Sequence, residues 1–201
     1  MISSFQKLFD NGMICSSEQA AIVDAAIYDE VKAEFEAHQC VIISKKADIA
    51  KLEKVVLNEA RIAINGAIVG HSAIEIAEKA GLKVPEGTKM LLAEIPDATM
   101  EHPLALEKLS PVLALIKSDG VEDGFKKVEG VLNLGGIGHT AVIHTENEEL
   151  QLQYGICMKA CRVLVNSPSA EGGIGNIYNN MIPSLTLGCG SHGHNLSLIH
   201  I

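Results

Sequence analysis

Apolar and polar positions follow two rhythms along the chain, and the rhythms take turns. Val23, Ile27, Val31 and Phe35 recur at four-residue intervals, with Ile22 and Ala26 beside them, which predicts a helix over residues 16–38 with one apolar face. Ser16 followed by Gln19 fits a capping box at its start. Cys40, Val41, Ile42 and Ile43 then make a short run rich in β-branched residues, the mark of a buried strand. Helices are expected over residues 47–59 and 73–79, the second ended by Gly81. Strands over 88–95 and 112–117, a polar helix over 121–131, a strand over 140–144, a helix over 150–161 and a strand over 162–165 continue the alternation. That order predicts an α/β fold with a largely parallel sheet flanked by helices. From Ser167 onward Gly, Asn, Ser and Pro are dense, so long surface loops are expected there.

Composition narrows the picture. A chain of 201 residues suits one domain, or one domain with a small appendage. Hydrophobic residues at 47% and charged ones at 20% fit a folded chain rather than a disordered one. Sixteen basic against 25 acidic residues leave a net charge of −9, which argues against a nucleic-acid surface built of clustered Lys and Arg. Trp is absent and aromatics are 3%, so stacking platforms for bases are not expected. No apolar run reaches the roughly 18–20 residues of a membrane-spanning helix. The opening Met1-Ile2-Ser3-Ser4-Phe5-Gln6-Lys7 lacks the basic-then-apolar pattern of a secretory signal. Cys15, Cys40, Cys157, Cys161 and Cys189 are odd in number and widely spread, which favours reduced thiols in the cytoplasm over a disulfide framework.

Several residues are candidates for chemistry. Cys15 lies between the turn-like Asp10-Asn11-Gly12 and the expected helix start, where the helix N-terminus would lower its pKa and favour a nucleophilic thiolate. The alternative is a small buried cysteine packing as a hydrophobe. Cys157 and Cys161, four apart on the expected helix, share a face; core packing is the reading preferred over a metal pair. His192 and His194 near Cys189 resemble metal-binding material, but the motif is non-specific, and no metal site is expected. Gly135-Gly136-Ile137-Gly138 precedes a strand, whereas a dinucleotide fingerprint follows one, so it reads as a flexible turn. His139 is then either an ordinary surface imidazole or a proton shuttle. Glu107, between Leu106 and Lys108, reads by itself as a solvated charge.

Taken together these segments resemble one family. Phe9-Asp10-Asn11-Gly12-Met13-Ile14-Cys15-Ser16-Ser17-Glu18-Gln19 is similar to the nucleophile segment of CoA-acylating aldehyde dehydrogenases, above all the aldehyde dehydrogenase half of bifunctional aldehyde–alcohol dehydrogenases. Glu107-Lys108-Leu109-Ser110-Pro111-Val112 resembles that family's coenzyme-contacting glutamate motif, and Gly135-Gly136-Ile137-Gly138-His139-Thr140 its glycine–histidine segment. Val165-Asn166-Ser167-Pro168, Gly172-Gly173-Ile174-Gly175 and Pro183-Ser184-Leu185-Thr186-Leu187-Gly188-Cys189-Gly190-Ser191 resemble its later loops.

The resemblance implies an NAD- and coenzyme A-dependent acetaldehyde dehydrogenase (acetylating). In it Cys15 forms a thiohemiacetal and then an acyl-thioester that passes to CoA. Glu107 would hold the nicotinamide ribose, with Pro111 and Gly138 of the same motifs also at the coenzyme, and His139 would serve the thiol exchange. Partners implied are a short aldehyde and its acyl-CoA, with the parent a cytoplasmic homo-oligomer. Butyraldehyde or succinate semialdehyde as substrate, or a non-catalytic assembly domain, are the alternatives. Residues 1–195 are expected as the thiol-nucleophile catalytic domain of that fold. The family's preceding nucleotide-binding domain, with the asparagine of its oxyanion hole, is expected to be missing, as is the alcohol dehydrogenase half, and residues 196–201 are an atypical tail. The chain thus reads as a fragment.

Overall fold

A computed structural model describes Leu8, residues 10–183 and the backbone of residues 196–200. Among these residues seven strands form one sheet: β1 Ala20–Asp24, β2 Cys40–Ile43, β3 Met90–Glu94, β4 Val112–Ser118, β5 Gly138–His144, β6 Ala160–Val165 and β7 Leu196–His200. Their order is β2-β3-β4-β1-β7-β5-β6, and every neighbouring pair runs parallel. The connecting helices are α1 Tyr28–Ala37, α2 Lys46–Val56, α3 Ala73–Lys79, α4 Val121–Gly135, α5 Glu148–Cys157 and the short α6 Ser169–Gly172. An α/β fold with a parallel sheet between helices is therefore observed.

The strands are apolar on both faces because both faces are covered. In β1, Ala20 and Ile22 join a core with Leu52 and Val56 of α2, Ile76 of α3 and Val128 and Val131 of α4. Ala21 and Val23 point the other way, into a core with Tyr28, Val31 and Phe35 of α1. The helix expected over 16–38 is corrected here. Its first part is β1, and helix begins only at Tyr28. A strand buried on both sides shows no polar gaps, so Val23 fell into step with the true helical spacing of Val31 and Phe35 by coincidence. Ser16 accordingly caps nothing; its hydroxyl donates to Ala170 O at 2.8 Å.

Elsewhere the predicted elements lie close to the observed ones. α3 spans residues 73–79 as expected, opened by a reciprocal capping box between Ser72 and Glu75 and followed by Gly81 at φ +65°. α4 runs four residues beyond its expected end, so the glycine-rich stretch is a helix terminus leading straight into β5, with Gly136 and Gly138 at φ +101° and +115°. α5 stops at Cys157, and Cys161 lies in β6; both thiols are exposed, so neither shares a helix face nor packs in the core. The expected tail is corrected as well: Leu196–His200 form β7, paired to β1 on one side and β5 on the other.

Candidate active site

Because the strands are parallel, the segments entering them gather along one edge of the sheet. Cys15 precedes β1, Glu107 and Pro111 precede β4, and Gly138 and His139 open β5. In the sheet β4 is next to β1, while β5 lies two strands away, on the order of 10 Å.

The nucleophile candidate sits on a segment held from two sides. Asp10, Asn11 and Gly12 all adopt positive φ, a tight left-handed turn that brings the chain to Cys15. Ser16, Ser17, Glu18 and Gln19 are then buried. On one side, besides the Ser16 bond to Ala170, the Glu18 carboxylate accepts from Ser169 N–H at 2.9 Å. That approach requires Gly173: a Cβ there would lie 2.8 Å from Ser169 O and 3.1 Å from Ser16 Cβ. On the other side, Gln19 Oε1 accepts from the backbone N–H of Lys108 at 3.0 Å. Cys15 itself is half-buried.

Burial pushes the Cys15 thiol above its ordinary range, and the negative charge of Glu107 pushes it further the same way. The backbone N–H groups of Ser16 and Cys15 and the more distant Arg162 guanidinium pull in the opposite direction. The expectation of a thiol activated by a helix N-terminus is thus overturned: a strand, not a helix, follows. Glu107, a solvated charge by its sequence neighbours, is instead half-buried and acts electrostatically on the thiol. A cavity of about 310 Å³ opens beside it, walled by Ile62, Ala63, Ile64, Leu106, Leu134 and Gly135. Pro111 is buried, and its carbonyl accepts from Leu91 N–H at 3.0 Å.

His139 is no surface imidazole; it is buried, with Nδ1 2.9 Å from Thr140 Oγ1, a bond that fixes the ring. Lys108, Glu18, Gln19 and Arg162 escaped the sequence reading. The only signals were charges embedded in apolar surroundings, Lys108 after Leu106-Glu107 and Arg162 within the strand run Val163-Leu164-Val165. Cys189, His192 and His194, and most of the segment from Pro183 to Ser191, lie outside the described residues. Among the described residues no group of three His, Cys, Asp or Glu side chains is arranged for a metal ion, and no helix is long and apolar enough to cross a membrane.

Comparison with known proteins gives this arrangement a context. No protein-family model matches the chain. It is 49% identical over 196 residues to an aldehyde-alcohol dehydrogenase of Streptococcus pneumoniae, covering 94% of this chain and 22% of that protein. A bifunctional aldehyde-alcohol dehydrogenase of Escherichia coli is 44% identical over 193 residues, 94% of this chain and 21% of that one. Among solved structures, an acetylating aldehyde dehydrogenase from Geobacillus thermoglucosidasius superposes with a TM-score of 0.87 at 38% identity, over 96% of this chain and 42% of that one. The fold is therefore that of an aldehyde dehydrogenase catalytic domain. Over the stretch it spans, the chain is homologous to the acetylating aldehyde dehydrogenases and to the corresponding part of the aldehyde–alcohol dehydrogenases. It spans about a fifth of the length of the curated aldehyde–alcohol dehydrogenases it matches.

Proposed function

We propose that the chain supplies the nucleophile-bearing part of an NAD-dependent, CoA-acylating aldehyde dehydrogenase acting on a short aldehyde, acetaldehyde first. The observation that carries this reading is the meeting of Cys15 and Glu107, from segments 92 positions apart, at one edge of the sheet. Residues 1–195 together with β7, which lies between β1 and β5, supply the thiol-nucleophile domain, and the parent is a cytoplasmic homo-oligomer.

In this reading the Cys15 thiolate adds to the aldehyde carbonyl carbon and the oxygen takes up the electron pair. The N–H groups of Cys15 and Ser16 favour the ionised sulfur that this requires. The apolar cavity beside Glu107 fits a nicotinamide ring, with the carboxylate placed for ribose hydroxyls and Pro111 and Gly138 shaping the neighbouring backbone. NAD bound there supplies a hydride acceptor. The resulting thioester on Cys15 stays activated toward another thiol. When CoA sulfur attacks, a new S–C bond forms, the bond to Cys15 Sγ breaks, and the CoA thiol proton goes to His139. The ring's fixed orientation on Thr140 supports that role.

Thioester exchange needs no nicotinamide, so it tests the reading on this chain directly. The purified protein is mixed with acetyl-CoA, its intact mass recorded and the modified peptide mapped. An acetyl group on Cys15 is expected, and Cys15→Ala should lose it. A folded wild-type chain that stays unmodified, or one labelled equally in Cys15→Ala, overturns the proposal for these residues. Repeating the reaction with butyryl- and succinyl-CoA ranks the acyl groups.

A further inference from the structure

Lysine is almost never fully buried unless its charge is satisfied. Lys108 is 0% exposed, between Glu107 and Leu109. An ammonium has three donors and no acceptor. Here Nζ donates to Leu104 O at 2.6 Å, Leu106 O at 2.7 Å and Gln19 O at 3.0 Å. Two of these carbonyls belong to the loop that carries Glu107; the third belongs to the segment that carries Cys15. The backbone N–H of Lys108 adds a second link to the same residue, Gln19 Oε1, and Gln19 Nε2 donates onward to Ser17 O at 2.9 Å. Leu109, next along the loop, adopts φ +39°, a left-handed conformation that a non-glycine residue holds only where its surroundings impose it.

We infer that Lys108 is a positioning residue, a buried ammonium clasp that locks the Glu107 loop against the Cys15 segment and so sets the spacing of the two site groups. Charge-assisted bonds to carbonyls are stronger than neutral ones, and a compact ammonium reaches three carbonyls converging from different directions, which a planar guanidinium does not. Methionine in its place fills the volume but removes the charged donor from all three carbonyls, leaving Gln19 O only its bond from Ala114 N–H at 3.1 Å and the loop free to move. The inference deepens the proposed function and rests on its pairing of Cys15 with Glu107.

The test follows that pairing and not acyl transfer. Alkylation of Cys15 by iodoacetamide is measured across pH on the full chain, with the Cys15 peptide quantified by mass so that the exposed Cys157 and Cys161 do not interfere. Glu107→Gln removes the charge that disfavours the thiolate, and the alkylation rate at pH 7.5 is expected to rise by about two- to fivefold, since a lower thiol pKa also trims its nucleophilicity. Lys108→Met frees the same carboxylate from the thiol, so it should move the profile in the same direction, and should add nothing in the Glu107→Gln background. Lys108→Arg, which keeps the charge but not the geometry, should behave like Lys108→Met. An unmoved profile in Lys108→Met overturns the inference. So does a move toward higher pH, or an equal effect with and without Glu107. Should Lys108→Met not fold, Lys108→Arg carries the test alone, since Gln19 accepts from Nζ through its backbone carbonyl and no side-chain change there removes that bond; a rise at pH 7.5 is expected, and no rise overturns the inference. Failure of acetylation by acetyl-CoA with these profiles as expected would sink the proposed function and leave the clasp standing.

Discussion

Cys15 and Cys40 are both thiols at the start of strands in the same sheet, and burial raises the pKa of both. Cys40 is buried in the core cluster that holds Phe35, Met90 and Leu92, and its thiol is pushed up to about 11 by that burial, eased only by the positive charge of Lys89. Its thiol donates one long bond, 3.9 Å to His38 O. Around Cys15 the burial is only partial; with the Glu107 carboxylate it raises the thiol, while backbone N–H groups from two residues and the Arg162 guanidinium pull the other way. Burial alone makes a cysteine inert. A reactive one needs groups that respond to the charge on sulfur, and around Cys15 these come from its own segment, from the Glu107 loop before β4 and from Arg162 of β6.

The sharpest way to break this comparison is to remove each thiol in turn. Cys15→Ala should abolish acetylation by acetyl-CoA, whereas Cys40→Ala should leave the mapped adduct in place; labelling that depends on Cys40 would invert the argument. Next in size is His139→Gln. A proton-transfer group contributes about 10²–10⁴-fold, so acetyl exchange monitored by isotopic CoA should slow by that order while iodoacetamide alkylation of Cys15 changes little. If the two reactions slow together, His139 shapes the site and does not move the proton.

Gly173→Ala probes the packing on the Cys15 side alone. The added methyl meets Ser169 O at 2.8 Å, and the backbone there must shift, costing about 1–3 kcal/mol in urea unfolding. Acetylation at Cys15 should fall with it and the environment of Cys40 should not. The smallest effect belongs to Cys40. A thiol protonated longer in the folded than in the unfolded chain stabilises the fold below its unfolded pKa and loses that contribution as pH rises toward about 11. Between pH 9 and 11 the wild type should therefore lose stability slightly faster than Cys40→Ala.

What could be read from the sequence divides along physical lines. The strands at 40–43, 90–94 and 112–118 were legible as short continuous apolar runs, β-branched in the first, and α3 because its closing glycine is a local signal. β1 was not, since Ala20–Asp24 is buried on both faces and lost its period among helical neighbours. Cys15 and His139 were visible as candidate residue types, and Glu107 only through family resemblance. The electrostatic setting of Cys15 was invisible, because it depends on Glu107 and Arg162, 92 and 147 positions away. Lys108 shows the limit most clearly: nothing in its neighbours tells that its ammonium meets Gln19 O across 89 positions.

Those long separations have a temporal meaning. Ser16 and Glu18, beside Cys15, find their partners at Ala170 and Ser169, synthesised 154 and 151 positions later. At synthesis rates of about 5–20 residues per second, that interval is on the order of ten to thirty seconds. During it the thiol belongs to a nascent chain without its Ser169–Ala170 flank. The site is therefore armed by completion of the domain, and a ribosome-stalled chain ending short of Ser169 should carry an ordinary cysteine.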